Sequence, residues 1–196
     1  VNPLLFRRLS KQYSSPQKVQ NFLRTLKYNR EETGETVRSA AETFRLKKAH
    51  CLEATLLAAA ILDHQGYPPL VINFDSIDHL CHAIFIFKTK TGWGSVARSR
   101  EPGLHGREPK FRSIRDLAWS YFDPFIDKTG RITGYVRLNL DESGTDWRFS
   151  KRNLWKLEKL MVYTQHIPLR SSDERFRKFF NRYQKQGSLL NGPHWW

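Results

Sequence analysis

At 196 residues, with 39% hydrophobic and 13% aromatic side chains, the chain can fill the core of one ordinary domain, which excludes a wholly disordered protein. No run approaches the ~18–20 apolar residues that span a bilayer. The opening VNPLLFRRLSKQYSS places its charges after its apolar residues, the reverse of a secretory leader, so a soluble cytoplasmic protein is expected. The formal net charge is +14, but residues 51–150 are neutral and residues 1–50 and 151–196 hold +7 each. A quiet middle between two basic ends suits a core or a site flanked by basic helices, or simply a well-solvated basic surface.

In chain order, Ser15-Pro16 reads as a helix cap followed by Pro at the first helical position, with Val19, Phe22, Leu23 and Leu26 at helical spacing behind it. Val37, Ala40, Ala41 and Phe44 repeat that spacing in a second helix. CLEATLLAAAILDH (51–64) is apolar on nearly every side, so Leu52, Ala54, Leu56, Leu57, Ala60 and Leu62 are expected inside; Gly66 and Pro68-Pro69 stop the helix. LVINF (70–74) reads as a strand, and HAIFIFK (82–88) with WGSVARS (93–99) as a hairpin. Residues 100–112, rich in Gly, Pro and charge, read as a loop.

Ser113 caps a helix carrying Ile114, Leu117, Ala118 and Tyr121, and RITGYVRLNL (131–140) alternates like a strand. Ser150 is expected to open a helix with Leu154, Leu157, Leu160 and Met161. Ser172 caps the last one, where Phe176, Phe179, Phe180 and Tyr183 form a stripe among Arg175, Arg177, Lys178, Arg182 and Lys185. The order predicts a single α+β domain over residues 1–186 with basic N- and C-terminal helical segments. Residues 187–196 (GSLLNGPHWW) are expected to form a flexible tail unless Trp195 and Trp196 dock on the domain.

Cys51 and Cys81 are the only cysteines, which excludes a disulfide framework and a four-cysteine zinc site. Cys51 begins the apolar helix behind Arg45, Lys47, Lys48 and His50. A thiol in a first helical turn feels free backbone N–H groups and the positive end of the dipole, and nearby cations favour the thiolate further. Cys51 is therefore either a nucleophile or a small core residue. His82 opens a strand with Ile84 and Ile86 on its face, where it is either a base for that nucleophile or a structural residue. A zinc site from His50, Cys51, His79, Cys81 and His82 lacks any Cys-x-x-Cys or His-Glu-x-x-His spacing, and adjacent strand residues point to opposite faces. No metal or cofactor is expected.

Taken together, AHCLEATLLAAAILDHQGYPPLVI, DHLCHAIFIF and GWGSV resemble the core of the transglutaminase-like superfamily, which includes peptide N-glycanases and many bacterial proteases. The residues that carry the likeness are Cys51, Gly66-Tyr67, His82 and Trp93, and it covers roughly residues 35–100. The longer stretch from SPQKVQNFLRTLKYNRE through SIRDLAWSYFDPF looks like a bacterial subgroup. The resemblance implies a papain-like arrangement in which the start of a central Cys-bearing helix abuts an antiparallel sheet. It also implies a Cys51 nucleophile and a His82 base working by acyl transfer or amide hydrolysis on a protein or peptide.

The pattern departs at one place. The Asp that follows the Trp by four residues in the family is Ala97 here; Ser95 and Ser99 share its face, and Glu101 lies beyond. A backbone carbonyl or a serine hydroxyl is left to orient the imidazole. For the oxyanion the resemblance offers the Cys51 N–H, with Tyr28 and Asn29 either second donors or an ordinary turn. The competing expectation is a non-catalytic relative that binds a protein, nucleic acid or an anionic membrane surface through its basic ends.

Overall fold

Residues 4–191 and 193–196 are described in a computed structural model. The first three residues of the opening stretch read against a leader, and Gly192, lie outside the described residues. Among those described, no helix is long and apolar enough to cross a membrane.

The helical spacings near the N-terminus produce α1 (Leu5–Gln12), α2 (Pro16–Thr25) and α3 (Ala40–Leu46). Ser15 caps α2 by accepting the Lys18 N–H, and Ser39 caps α3, so Val37 precedes its helix instead of lying within it. The opening residues, given no element above, form α1 by burying Phe6 and Leu9 on one side. Two dipeptides, β1 (Lys27–Tyr28) and β2 (Lys48–Ala49), pair in parallel, Tyr28 against Ala49. The central helix is α4 (Cys51–Asp63), and every residue from Leu52 to Leu62 is buried.

Next come β3 (Leu70–Ser76), β4 (His82–Thr89), β5 (Gly92–Val96), a 3₁₀ turn at Pro102–Leu104, β6 (Arg107–Phe111), α5 (Ile114–Phe125) and β7 (Ile132–Asn139). The chain closes with α6 (Trp155–Tyr163), β8 (Ile167–Pro168) and α7 (Asp173–Gln186). Strands β3 to β8 form one antiparallel sheet in the order β6-β5-β4-β3-β7-β8.

Period-two alternation gives this sheet two apolar faces. Val71, Ala83, Phe85, Phe87 and Val96 pack on α4 and the helices around it. Ile72, Phe74, Ile84 and Ile86 pack on α5, with Phe176, Phe179 and Phe180 of α7 half-buried at the margin. Burying an aliphatic side chain such as Leu56 or Leu57 stabilises by ~1.5–3 kcal/mol, which holds α4 where no polar face competes. Thr55 Oγ1 donates to the Ala83 carbonyl at 2.9 Å and fixes the helix lengthwise on β4.

Three expected boundaries move for identifiable reasons. The hairpin's second strand stops at Val96, because the buried Gln20 amide takes over the ladder: Ala97 N–H donates to its Oε1 and its Nε2 donates to the Ala97 carbonyl, both at 2.9 Å. The 100–112 loop contains β6, an edge strand that tolerates Pro109. Ser150 opens no helix: its hydroxyl bonds the Arg152 N–H and carbonyl in a local turn, and α6 starts at Trp155. Both terminal tryptophans dock, Trp195 Nε1 on the Pro102 carbonyl at 3.1 Å and Trp196 Nε1 on the Ser95 carbonyl at 3.0 Å.

Candidate active site

The start of α4 is fixed by a reciprocal cap in which histidine takes the place of serine or threonine. His50 Nδ1 accepts the Leu52 N–H at 3.2 Å, and Glu53 Oε2 accepts the His50 N–H at 3.1 Å. Glu53 has no exposed surface and is fully employed. Its Oε1 accepts from Thr36 Oγ1 (2.8 Å) and the Arg38 N–H (3.2 Å), with the Arg38 guanidinium 3.5 Å away; Oε2 also accepts from Asn29 Nδ2 (3.2 Å). A buried carboxylate persists only with such a set of donors. His50 Nε2–H donates to the Thr36 carbonyl at 2.7 Å, which fixes the plane of the ring.

Cys51 follows as the first residue of the helix, half-buried, with its backbone N–H free of any intrahelical acceptor. Burial on its own would push its thiol up. Hydrogen bonds from His50 and His82, and then their charges, outweigh it and hold the thiol well below the ordinary range. The effect is reciprocal: burial opposes charge on His50, yet the Cys51 sulfur, Glu53 and the Thr36 carbonyl raise it to about 9. Nδ1 of His50 has two exclusive roles. Neutral, it accepts from Leu52 N–H; protonated, it donates to the thiolate.

His82 is the first residue of β4 and is buried. Its ring packs against Phe74, nearly parallel at 6.3 Å, and against Tyr121 at 5.9 Å. The Leu104 carbonyl accepts from its Nε2 at 2.9 Å. A carbonyl can only accept, so the neutral ring carries its proton on Nε2 and turns the Nδ1 lone pair toward Cys51. A backbone oxygen therefore orients this ring.

The turn that presents this oxygen is held from inside by Arg107, which has no exposed surface and no carboxylate among its hydrogen-bond partners. Its Nη2 donates to the Gly103 carbonyl at 2.7 Å and its Nη1 to the His105 carbonyl at 2.6 Å. Ser95 serves the same support instead of the ring, bonding Tyr121 Oη at 2.7 Å and the Arg107 N–H at 2.9 Å. Ser99 Oγ accepts the Glu101 N–H.

Cys51, His50 and His82 open into a cleft of about 370 Å³ whose walls include Tyr28, Leu80, Arg100 and Phe125. Tyr28 arrives there because β1 runs beside the strand leading into Cys51. Burial first, and then negative charge at Cys51, push its phenol up to about 12, so it stays a proton donor. Asn29 also reaches the cleft, but its amide is committed to Thr36, Glu53 and the Glu31 N–H.

The cationic lead-in resolves into one residue. Arg45 pairs with Glu42 and Lys47 lies over the Phe44 ring, while His50 alone of the residues before Cys51 hydrogen-bonds the thiol. No N-cap preference for histidine marks it; the His-Cys dipeptide at a helix start is the available signal. Cys81 edges the same cleft, exposed, with burial of its thiol pushing it up. Among the described residues no three or more His, Cys, Asp or Glu gather as metal ligands would. No family model matches the sequence, and no curated protein is detectably similar to it.

Proposed function

We propose that this protein is a cysteine-dependent acyl-transfer or amide-hydrolysing enzyme of transglutaminase-like, papain-like architecture, with Cys51 as nucleophile and His82 as base. The observation that carries the reading is the thiol of Cys51 at a helix N-terminus, lining one cleft together with the imidazoles of His50 and His82, which favour its thiolate. His82 Nδ1 takes the thiol proton, and the sulfur attacks the carbonyl carbon of an amide or ester as the C=O electron pair moves to oxygen. The Cys51 N–H and the Tyr28 hydroxyl receive that oxyanion. Collapse breaks the bond to the leaving amine or alcohol, which departs with the proton from His82. Water, or an acceptor amine, then attacks the thioester with His82 again as base, releasing the product and the Cys51 thiol. In its charged form His50 adds a second cation beside the thiolate and gives up the Leu52 N–H.

Iodoacetamide at pH 7, read by peptide mass on the folded protein, tests this. A thiol of ordinary pKa ~8.5 is only a few per cent ionised at that pH, and intrinsic nucleophilicity falls as pKa falls, so Cys51 should react roughly tenfold faster than Cys81. Equal rates, or a Cys51 inert until denaturant is added, return it to a core residue and end the enzyme reading.

The binding-module reading draws support from α7, none of whose residues is buried and whose Arg177, Lys178 and Lys185 face solvent. It requires association with polyanions that weakens steeply as salt rises.

A further inference from the structure

The turn Pro102–Leu104, whose last carbonyl orients His82, is gripped from outside as well as from inside. Residues 188–191 and 193–196 supply the outer grip. A Cβ added at Gly103 would fall on the Leu189 carbonyl oxygen, so the backbone there passes directly over the turn. Trp195 Nε1 donates to the Pro102 carbonyl at 3.1 Å. The same residues are anchored independently of the turn. The His194 carbonyl accepts the Glu108 N–H at 2.7 Å, and Trp196 Nε1 reaches Ser95 while its ring stacks on Phe87 at 6.3 Å. Arg24 lies over the Trp195 ring at 4.6 Å and donates to the Trp196 carbonyl at 3.1 Å. Ser188 reaches the wall of the cleft itself.

We infer that these docked residues are part of the support of His82, with Trp195 a positioning residue that acts through the Pro102–Leu104 turn and the Leu104 carbonyl. An aspartate in the third position brings its own charge and its own strand. A backbone carbonyl on a short 3₁₀ turn brings neither, so its direction depends on what pins the turn. Catalytic groups need placement within about 10–20°. Arg107 fixes Gly103 and His105 from below; the Pro102 carbonyl accepts the His105 N–H at 3.0 Å within the turn, and its one side-chain donor among the described residues is Trp195, from outside. The inference rests on the proposed roles of Cys51 and His82.

The experiment follows alkylation of Cys51 by iodoacetamide against pH in the full chain, with Cys81 as internal reference. Gly103→Ala puts a methyl group into the Leu189 carbonyl, and Trp195→Ala removes the side-chain donor to Pro102; neither changes the chemical identity of His82 or Leu104. Release of the turn should raise the inflection of Cys51 by about one unit. Below it, a tenfold loss of thiolate offset by higher nucleophilicity leaves labelling about threefold slower. Leu190→Ala, an exposed side chain in the same segment, should leave the profile unchanged. Limited proteolysis at Leu189–Leu190 reports whether the docked residues have come free.

Freed residues with an unmoved inflection in both variants overturn the inference and leave the enzyme reading intact. An ordinary inflection in the unmodified protein ends that reading and this one with it. Should Gly103→Ala not fold, Trp195→Ala decides alone.

Discussion

His82 Nε2–H donates a hydrogen bond to the carbonyl of Leu104 at 2.9 Å, where the family that the sequence resembles uses a carboxylate. The exchange keeps the tautomer and the ring orientation and gives up the compensating charge. Part of that charge problem is met by His50, beside the same sulfur, which adds a cation held at about 9.

Both imidazoles should therefore be visible in the reactivity of one thiol. His82→Ala removes a hydrogen bond to Cys51, and His50→Asn keeps a competent helix cap while removing the second one. Each should slow iodoacetamide labelling of Cys51 at pH 7 by about threefold or more, with Cys81 unaffected. The ratio of the two labelling rates, from peptide mass, is the measurement. A ratio unchanged in both variants would mean that neither ring acts on the sulfur.

The core around α4 gives a second test. Leu56 has no exposed surface, so Leu56→Asp buries an unpaired carboxylate and should cost on the order of 3–5 kcal/mol. A variant that melts within a degree or two of the parent would contradict the placement of the central helix.

That helix was legible because CLEATLLAAAILD is apolar on nearly every side, and a helix of that kind has one place to go. His82, Ile84 and Ile86 followed from period-two alternation, which the sheet reproduces. The support of His82 was not legible, because a backbone acceptor leaves no residue type to read and Leu104 is an ordinary leucine in the sequence. Strand β6 was hidden by the Gly, Pro and charge that suit a sheet edge and a loop equally. The pair of β1 with β2 is two residues long, below any periodicity, yet it carries Tyr28 to the cleft.

Gln20 is a buried amide that does the work of a missing strand neighbour. Its Oε1 accepts the N–H groups of Ala97 and Gly106, and its Nε2 donates to the Ala97 carbonyl. Gln20→Ala leaves three backbone groups unsatisfied on the path from β5 to the turn that holds His82. At ~1–3 kcal/mol for each buried unpaired group, partly relieved by entering water, the variant should lose about 3 kcal/mol in urea unfolding. Gln20→Glu should not rescue it, because a carboxylate cannot donate to the Ala97 carbonyl.

His105 makes stability depend on acid. It is buried between two guanidinium groups, with Arg24 Nε 3.5 Å from its Nδ1 and Arg98 Nη1 3.1 Å from its Nε2, and Nε2 also lies 3.0 Å from the Ser99 carbonyl. Burial first, and then the charges of Arg98, Arg24 and His82 against the pull of Ser99, lower it from 6.5 to about 4. In the unfolded chain the same ring takes up a proton near pH 6.5. Its folded value is depressed, so its contribution is fully present above about 6.5 and is lost as pH falls toward 4. Between those limits the unfolded state binds about one more proton, a slope of up to ~1.4 kcal/mol per pH unit and a loss of about 3 kcal/mol across the window. Urea unfolding from pH 8 to pH 4 should show that fall. His105→Gln keeps an amide N–H for the Ser99 carbonyl and an oxygen for Arg24 but cannot titrate, so its curve should be flatter by that amount. Parallel curves for the two proteins would place the acid sensitivity elsewhere.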